Sequence, residues 1–118
     1  MAETRIGVIG CAGRVGRMLV ADIAATEGCA LAGGVARPGS PALGQDIGEL
    51  AGLGHIGIAV GESPERLLRD SAVAIEFTTP AATAEHAGLA ARQGTPLVIG
   101  TTGLEGAEER SVRDAATR

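Results

Sequence analysis

The sequence contains no lysine; all ten of its basic residues are arginines. A Schiff-base amine and a lysine general acid are therefore excluded from these 118 residues. Tryptophan and tyrosine are also missing, and Phe77 is the single aromatic residue. The interior must then be built from small aliphatic side chains packed closely, which bury less apolar area per residue. A chain of this length forms one domain of modest size, and such a core leaves it little stability to spare. With 14 acidic and 10 basic residues the formal charge is −4, so no basic face for nucleic acid is expected. No apolar run is long enough to span a membrane. The opening Met1-Ala2-Glu3-Thr4-Arg5 lacks the charged and then apolar layout of a secretory signal, so a cytoplasmic protein is expected. Cys11 and Cys29 have no histidine or cysteine cluster near them, which excludes a zinc site. One follows the end of a strand and the other precedes its neighbour, about 15–20 Å apart at about 3.3 Å per residue, so two free thiols are expected.

Against these absences stand 19 glycines and a hydrophobic content of 45%. The stretch Ile6-Gly7-Val8-Ile9-Gly10-Cys11-Ala12-Gly13-Arg14-Val15-Gly16-Arg17-Met18-Leu19-Val20 passes from an apolar run, through three glycines spaced by three, into an amphipathic segment. That order reads as strand, tight turn and helix N-terminus. A helix start presents unpaired N–H groups and the positive end of the macrodipole, which makes the pyrophosphate of a dinucleotide its natural ligand. In that picture Gly10 makes the turn, Gly13 lets phosphate approach the backbone, and Gly16 packs the helix onto the sheet. Ala12 stands where the commoner G-x-G-x-x-G pattern has its second glycine. A glycine-rich turn with no ligand is the plain alternative.

Arg5–Gly10 is apolar on both faces, as a central parallel strand should be. Val15, Met18, Leu19, Ile23 and Thr26 then recur at helical spacing until Gly28, and Ala30–Ala36 is a second strand that completes a βαβ unit. The end of that strand reads the adenosine ribose: a carboxylate there suits NAD, an arginine the 2′-phosphate of NADP. Here it is Ala36-Arg37, which favours NADPH over NADH, a solvated loop arginine being the plain alternative. Pro38 to Gly57 reads as a long surface loop with at most one short helix, in which Asp46, Glu49 and His55 receive no role. Ile58–Val60 is expected as a short strand, and Ser63 and Pro64 open a helix through Arg69. Val73–Phe77 is a strand; Thr79 and Pro80 begin a helix that runs to Gln93 and is ended by Gly94. On that helix Ala84, Ala87, Gly88 and Ala91 form the face toward the sheet, with His86 exposed on the other. Pro96–Gly100 is a further strand leading into Thr101-Thr102-Gly103, and a last helix covers about 106–117.

This alternation predicts the α/β class: a Rossmann-type parallel sheet with helices on both faces, one dinucleotide-binding domain over 1–118. Loops at the carboxyl ends of such strands face the ligand crevice, so Gly10–Gly16, Arg37, Phe77–Thr79 and Gly100–Thr102 converge on one elongated groove. Thr101 and Thr102 offer hydroxyls and backbone groups where a nicotinamide carboxamide would lie. No proton donor is found there, because neither histidine falls at a strand's carboxyl end. Cys11 lies at a helix start that favours thiolate but has no base beside it. No catalytic residue and no metal ligand are assigned.

Three stretches, Val8-Ile9-Gly10-Cys11-Ala12-Gly13-Arg14-Val15-Gly16-Arg17, Glu76-Phe77-Thr78-Thr79-Pro80 and Val98-Ile99-Gly100-Thr101-Thr102-Gly103, resemble the N-terminal, cofactor-binding part of the dihydrodipicolinate reductases, enzymes of lysine and diaminopimelate synthesis. Leu43-Gly44 and Asp46-Ile47-Gly48-Glu49-Leu50 resemble that family's loop after its second strand, so the resemblance covers nearly the whole chain. It implies that Gly10, Cys11, Ala12, Gly13, Arg14 and Val15 bind pyrophosphate and Arg37 the adenosine end. It further implies that Gly100, Thr101 and Thr102 bind nicotinamide beside Phe77, with Thr102 also near substrate. The implied cofactor is NADPH or NADH; Ala36 stands where members often place a glutamate, which again favours NADPH. The implied substrate is the cyclic dicarboxylate 4-hydroxy-tetrahydrodipicolinate. The family's His-His-x-x-Lys segment and Ser-Gly-Thr loop, which serve proton transfer and carboxylate binding, are not among these residues. The resemblance therefore implies a piece truncated before the substrate domain and inactive alone, the intact enzyme being a homo-oligomer. An unpaired sheet edge is then expected to drive self-association. The alternatives are a non-catalytic nucleotide-binding module, redox-sensing or CoA-binding, or a relative of aspartate or homoserine dehydrogenase. Gly-Thr-Thr-Gly at 100–103 favours the reductase over the module.

Overall fold

The computed structural model of the protein describes residues 3–101. Strands β1 (Thr4–Ile9), β2 (Cys29–Val35), β3 (Val73–Glu76) and β4 (Leu97–Ile99) form one parallel sheet in the order β2-β1-β3-β4. They are joined by helices α1 (Arg14–Ala25), the one-turn α2 (Ile47–Leu50), α3 (Pro64–Asp70) and α4 (Pro80–Gln93). The expected α/β class is what the chain adopts. The helix expected near 106–117 lies outside the described residues.

Successive residues of a strand face opposite sides of its sheet, and β1 uses both. Val8 packs with Val20 and Ile23 of α1 and Ile47 of α2, whereas Ile9 packs with Leu67 and Leu68 of α3 and Ala90 of α4. Helices thus cover both faces, as an all-parallel sheet requires. Close approach replaces the missing aromatic bulk: a Cβ at Gly7 would strike Ser71 and Leu67, and one at Gly34 would strike Cys11. The first crossover leads from β1 to β2, but the next strand, β3, lies on the other side of β1. That reversal opens a crevice at the carboxyl ends of β1 and β3. At the sheet's edge, β4 pairs among the described residues only with β3 and leaves Val98 exposed.

The local signals act as expected at several element ends. Ser63 accepts from the N–H of Arg66 and Thr79 from that of Ala82, each followed by proline at the first helical position, and Gly94 closes α4 with φ of 71°. Cys11 and Cys29 are free thiols.

Four expectations need correction. On α1 the buried residues are Gly16, Val20 and Ile23, while Val15 and Met18 are exposed. Gly16 must face inward because a Cβ there would collide with the Gly10 carbonyl, and this turns Val15 and Met18 outward. On α4 the buried residues are Thr83, His86, Ala87 and Ala90, so of the expected face only Ala87 is buried, and His86 is buried rather than exposed, because a carboxylate beneath the helix needs donors. Residues 38–57 do contain one short helix but are more than a surface excursion, since Ala42 and Ile47 are buried. Asp46 organises this segment by accepting from the N–H groups of Glu49 at 3.1 Å, Ile56 at 3.1 Å and Gly57 at 2.8 Å, with His55 at 3.2 Å. Desolvation pushes the Asp46 carboxyl up, but these N–H groups and His55 outweigh it and hold the group below its ordinary value. Finally, Ile58–Val60 is not a strand. It contributes an isolated antiparallel bridge, Asp46 with Ala59, and just beyond it Gly61 bridges to Val35.

Candidate functional site

A groove of about 540 Å³ lies at the carboxyl ends of β1, β2 and β3, within the range of ordinary ligand sites. One wall is the turn before α1, with Gly10, Ala12 and Gly13; another is the end of β2, with Ala36, Arg37, Pro38 and Ser40. Phe77, Thr78 and Thr79 form the far side with Ala82, Glu85 and His86 of α4, and Glu62 lies at the rim.

The three glycines of the turn separate by what surrounds them. A Cβ at Gly10, whose φ is +94°, would overlap the Phe77 carbonyl oxygen, and one at Gly16 would overlap the Gly10 carbonyl oxygen. Those two are required by the fold itself. Gly13 has an ordinary φ of −76°, and the nearest atom to a Cβ there is the Gly10 oxygen at 3.7 Å. Nothing inside the described protein asks for glycine at this position, which faces the groove. The same residue is the N-cap of α1 and offers no side-chain acceptor, and the first turn holds no acidic residue. By contrast α2, α3 and α4 are capped by the side chains of Asp46, Ser63 and Thr79. Among the described residues the first-turn N–H groups of α1 thus have no side-chain cap and can receive an anion from the groove.

The opposite end of the site is densely bonded. Glu76, the last residue of β3, is fully buried. Its Oε1 accepts from the hydroxyls of Thr101 at 2.6 Å and Thr83 at 2.9 Å, and its Oε2 from the Thr78 hydroxyl at 2.6 Å and His86 Nδ1 at 2.8 Å. Burial pushes the Glu76 carboxyl up, but the hydrogen bonds from His86, Thr101, Thr78 and Thr83 outweigh it and hold the group below its ordinary value. It is a carboxylate at neutral pH. Among the described residues no buried side-chain nitrogen or oxygen is left without a partner. A glutamate inside the apolar run Val73-Ala74-Ile75-Glu76-Phe77 was the visible signal, because a charge in a central strand needs partners. Thr83 and His86, three apart on one helix face, were those partners.

Of the residues picked out in the sequence, Gly10, Ala12, Gly13, Arg37 and Phe77 meet on the groove. Arg14 and Val15 begin α1 and contribute its first N–H groups. Cys11 is buried behind the turn, and burial, opposed by a backbone hydrogen bond, pushes its thiol up to about 11. The thiol form is thereby favoured over the thiolate. Gly100 lies behind Phe77, whose ring a Cβ would overlap. Thr101 lies beside the groove rather than on it, and its hydroxyl is already occupied: the hydrogen goes to Glu76, and the oxygen accepts from the Thr78 N–H at 2.9 Å. Thr102 lies outside the described residues. His86, set aside in the sequence as a surface residue, lines the groove.

The chain resembles several proteins of known class. The family described as "Dihydrodipicolinate reductase, N-terminus" matches residues 4–118. The 4-hydroxy-tetrahydrodipicolinate reductase of Magnetococcus marinus is 46% identical over 114 residues, which are 97% of this chain and 42% of that protein. The enzyme of the same name from Rhizobium meliloti is 47% identical over 105 residues, 89% of this chain and 43% of that protein. Among solved structures, an amine dehydrogenase from Mycobacterium smegmatis superposes with a TM-score of 0.72 at 26% identity, covering 83% of this chain and 30% of that one. The chain spans about two-fifths of the length of the curated relatives it matches. With the glycine turn, the parallel sheet and the family match all in place over the same residues, the chain belongs to the dihydrodipicolinate reductase family, as its N-terminal part.

Proposed function

We propose that this chain is the NAD(P)H-binding portion of a reductase that converts 4-hydroxy-tetrahydrodipicolinate to tetrahydrodipicolinate in lysine and diaminopimelate synthesis, acting in the cytoplasm as part of a homo-oligomer. The observation that carries the reading is Gly13: unlike Gly10 and Gly16 it has no steric reason within the protein, and it faces the groove at an uncapped helix start. A phosphate that must come close to backbone supplies that reason. The residues present therefore fit a dinucleotide. The first turn of α1, from Gly13 to Val15, would hold the pyrophosphate; Arg37 would take the adenosine end; and the side formed by Phe77 and Thr78 would take the nicotinamide. Because the Thr101 hydroxyl is already bonded, that residue would contribute its backbone groups. When bound, the cofactor supplies the hydride. The chain's own part is to bind and orient, and the gripping of a dicarboxylate substrate is assigned outside these residues, so the chain alone would be inactive.

Arg37, two residues beyond the end of β2 and with Ala36 before it, supports a preference for NADPH. The test is titration of the chain with NADPH and NADH, followed by nicotinamide fluorescence, beside an Arg37→Ala variant. The expected result is tighter NADPH binding, weakened about tenfold in the variant while NADH changes little. Equal loss for both cofactors would remove the 2′-phosphate from Arg37.

A further inference from the structure

Glu76 is not among the residues that line the groove, yet it touches the parts that do. Its carboxylate bonds Thr78 in the segment after β3 and His86 on α4, both on the groove wall, and Thr101 in the segment after β4. Thr101 also accepts the N–H of Thr78, so one hydroxyl joins the ends of two strands while its hydrogen is held by Glu76. Each carboxylate oxygen carries two of these bonds. A carboxylate can only accept, so the Thr78 and Thr101 hydroxyls, each at 2.6 Å, donate to it, while the single hydrogen of Thr83 is shared between Glu76 at 2.9 Å and the Thr79 carbonyl at 3.0 Å. Such a network fixes geometry as well as adding stability.

Resting on the dinucleotide reading above, we propose that Glu76 is a positioning residue for the half of the groove that takes the cofactor's reactive ring. Its carboxylate holds Thr78, His86 and Thr101 in one arrangement before the ligand arrives, so that the ligand does not have to order them. A network that only stabilised the fold would affect every ligand of the groove alike. A positioning network separates ligands that reach this end from those that do not.

The experiment uses the full chain and two ligands: NADPH, which spans the groove, and 2′,5′-ADP, which represents the adenosine half alone. Glu76→Gln keeps the shape but turns one acceptor oxygen into a donor. Thr101→Val keeps the shape and removes the hydroxyl, and Thr101→Ser puts it back. Glu76→Gln and Thr101→Val are each expected to raise the Kd for NADPH about tenfold while that for 2′,5′-ADP stays within about twofold. Thr101→Ser should bind as the parent does, and the double variant should bind no worse than either single one, since both break the same joint. In the ligand-free chain, amide exchange of Thr78 should quicken about tenfold in both variants, with Val8 and Ile9 unchanged. If Glu76→Gln does not fold, Thr101→Val, at a half-buried position, carries the same test. Equal weakening of both ligands, or unchanged NADPH affinity in folded variants, overturns the proposal. A parent chain that binds neither ligand overturns the dinucleotide reading instead. In that event quickened Thr78 exchange would uphold the joint, and unchanged exchange would overturn it too.

Discussion

Where α1 begins, backbone N–H groups lack a side-chain cap and a Cβ at Gly13 would make only one ordinary contact; where β3 and β4 end, a buried carboxylate accepts from four donors and Gly100 is wedged against the only aromatic ring. Both ends adjoin one crevice, made by the reversal of connection at β1, the first on its wall and the second just behind Phe77, Thr78 and His86. The surroundings of the crevice are thereby of two kinds. Unsatisfied polarity and unexplained space mark where something from outside is to be received, and complete satisfaction marks where the protein fixes its own geometry.

The saturated end should be the more sensitive of the two to substitution. Replacing Glu76 by alanine leaves three hydroxyls and an imidazole facing a void, and should cost about 3–5 kcal/mol in urea-induced unfolding. A loss of a few tenths would mean that the four bonds are worth little. At the open end, Gly10→Ala places a Cβ against the Phe77 carbonyl at a φ of +94° and should cost about 3 kcal/mol. Gly13→Ala meets only the Gly10 oxygen at 3.7 Å and, as an N-cap change, should cost about 1 kcal/mol or less. Similar thermal shifts for the two would erase the distinction between structural and receiving glycines.

A smaller effect concerns pH. The native Glu76 carboxyl is held below its ordinary value, so the stability it contributes is complete above the ordinary carboxylate range and is lost as pH falls through the lowered native value. Asp46 is shifted in the same direction and for a similar reason, so both contribute to acid loss. The difference in unfolding midpoint between the parent chain and Glu76→Gln isolates the first. It should shrink as the solution is acidified through that range, and a constant difference would show that Glu76 is not ionised in the native state.

Much of this was legible from local signals. Gly10, Gly13 and Gly16 marked the turn, Ser63-Pro64 and Thr79-Pro80 marked helix starts, and Gly94 marked a stop, because each acts within a few residues of itself. Periodicity misjudged the facing of two helices for a tertiary reason. On α1, contact between Gly16 and Gly10 decided the rotation; on α4, Glu76 from a different element drew Thr83 and His86 inward. A small, aromatic-poor core gives hydrophobic patterning little contrast to work with, so one steric contact or one buried charge can turn a helix. The occupied Thr101 hydroxyl was likewise invisible, since its partner lies 25 positions earlier in the chain.

Receipt of a dinucleotide's pyrophosphate at the uncapped start of α1, opened by Gly13, is the expectation on which the proposed cofactor reading rests. Its most direct test is NADPH titration of the parent chain and of Gly13→Ala, with thermal unfolding of both as the control. The variant is expected to unfold close to the parent temperature and to bind NADPH at least about tenfold more weakly. A folded Gly13→Ala chain that binds NADPH as tightly as the parent would contradict it.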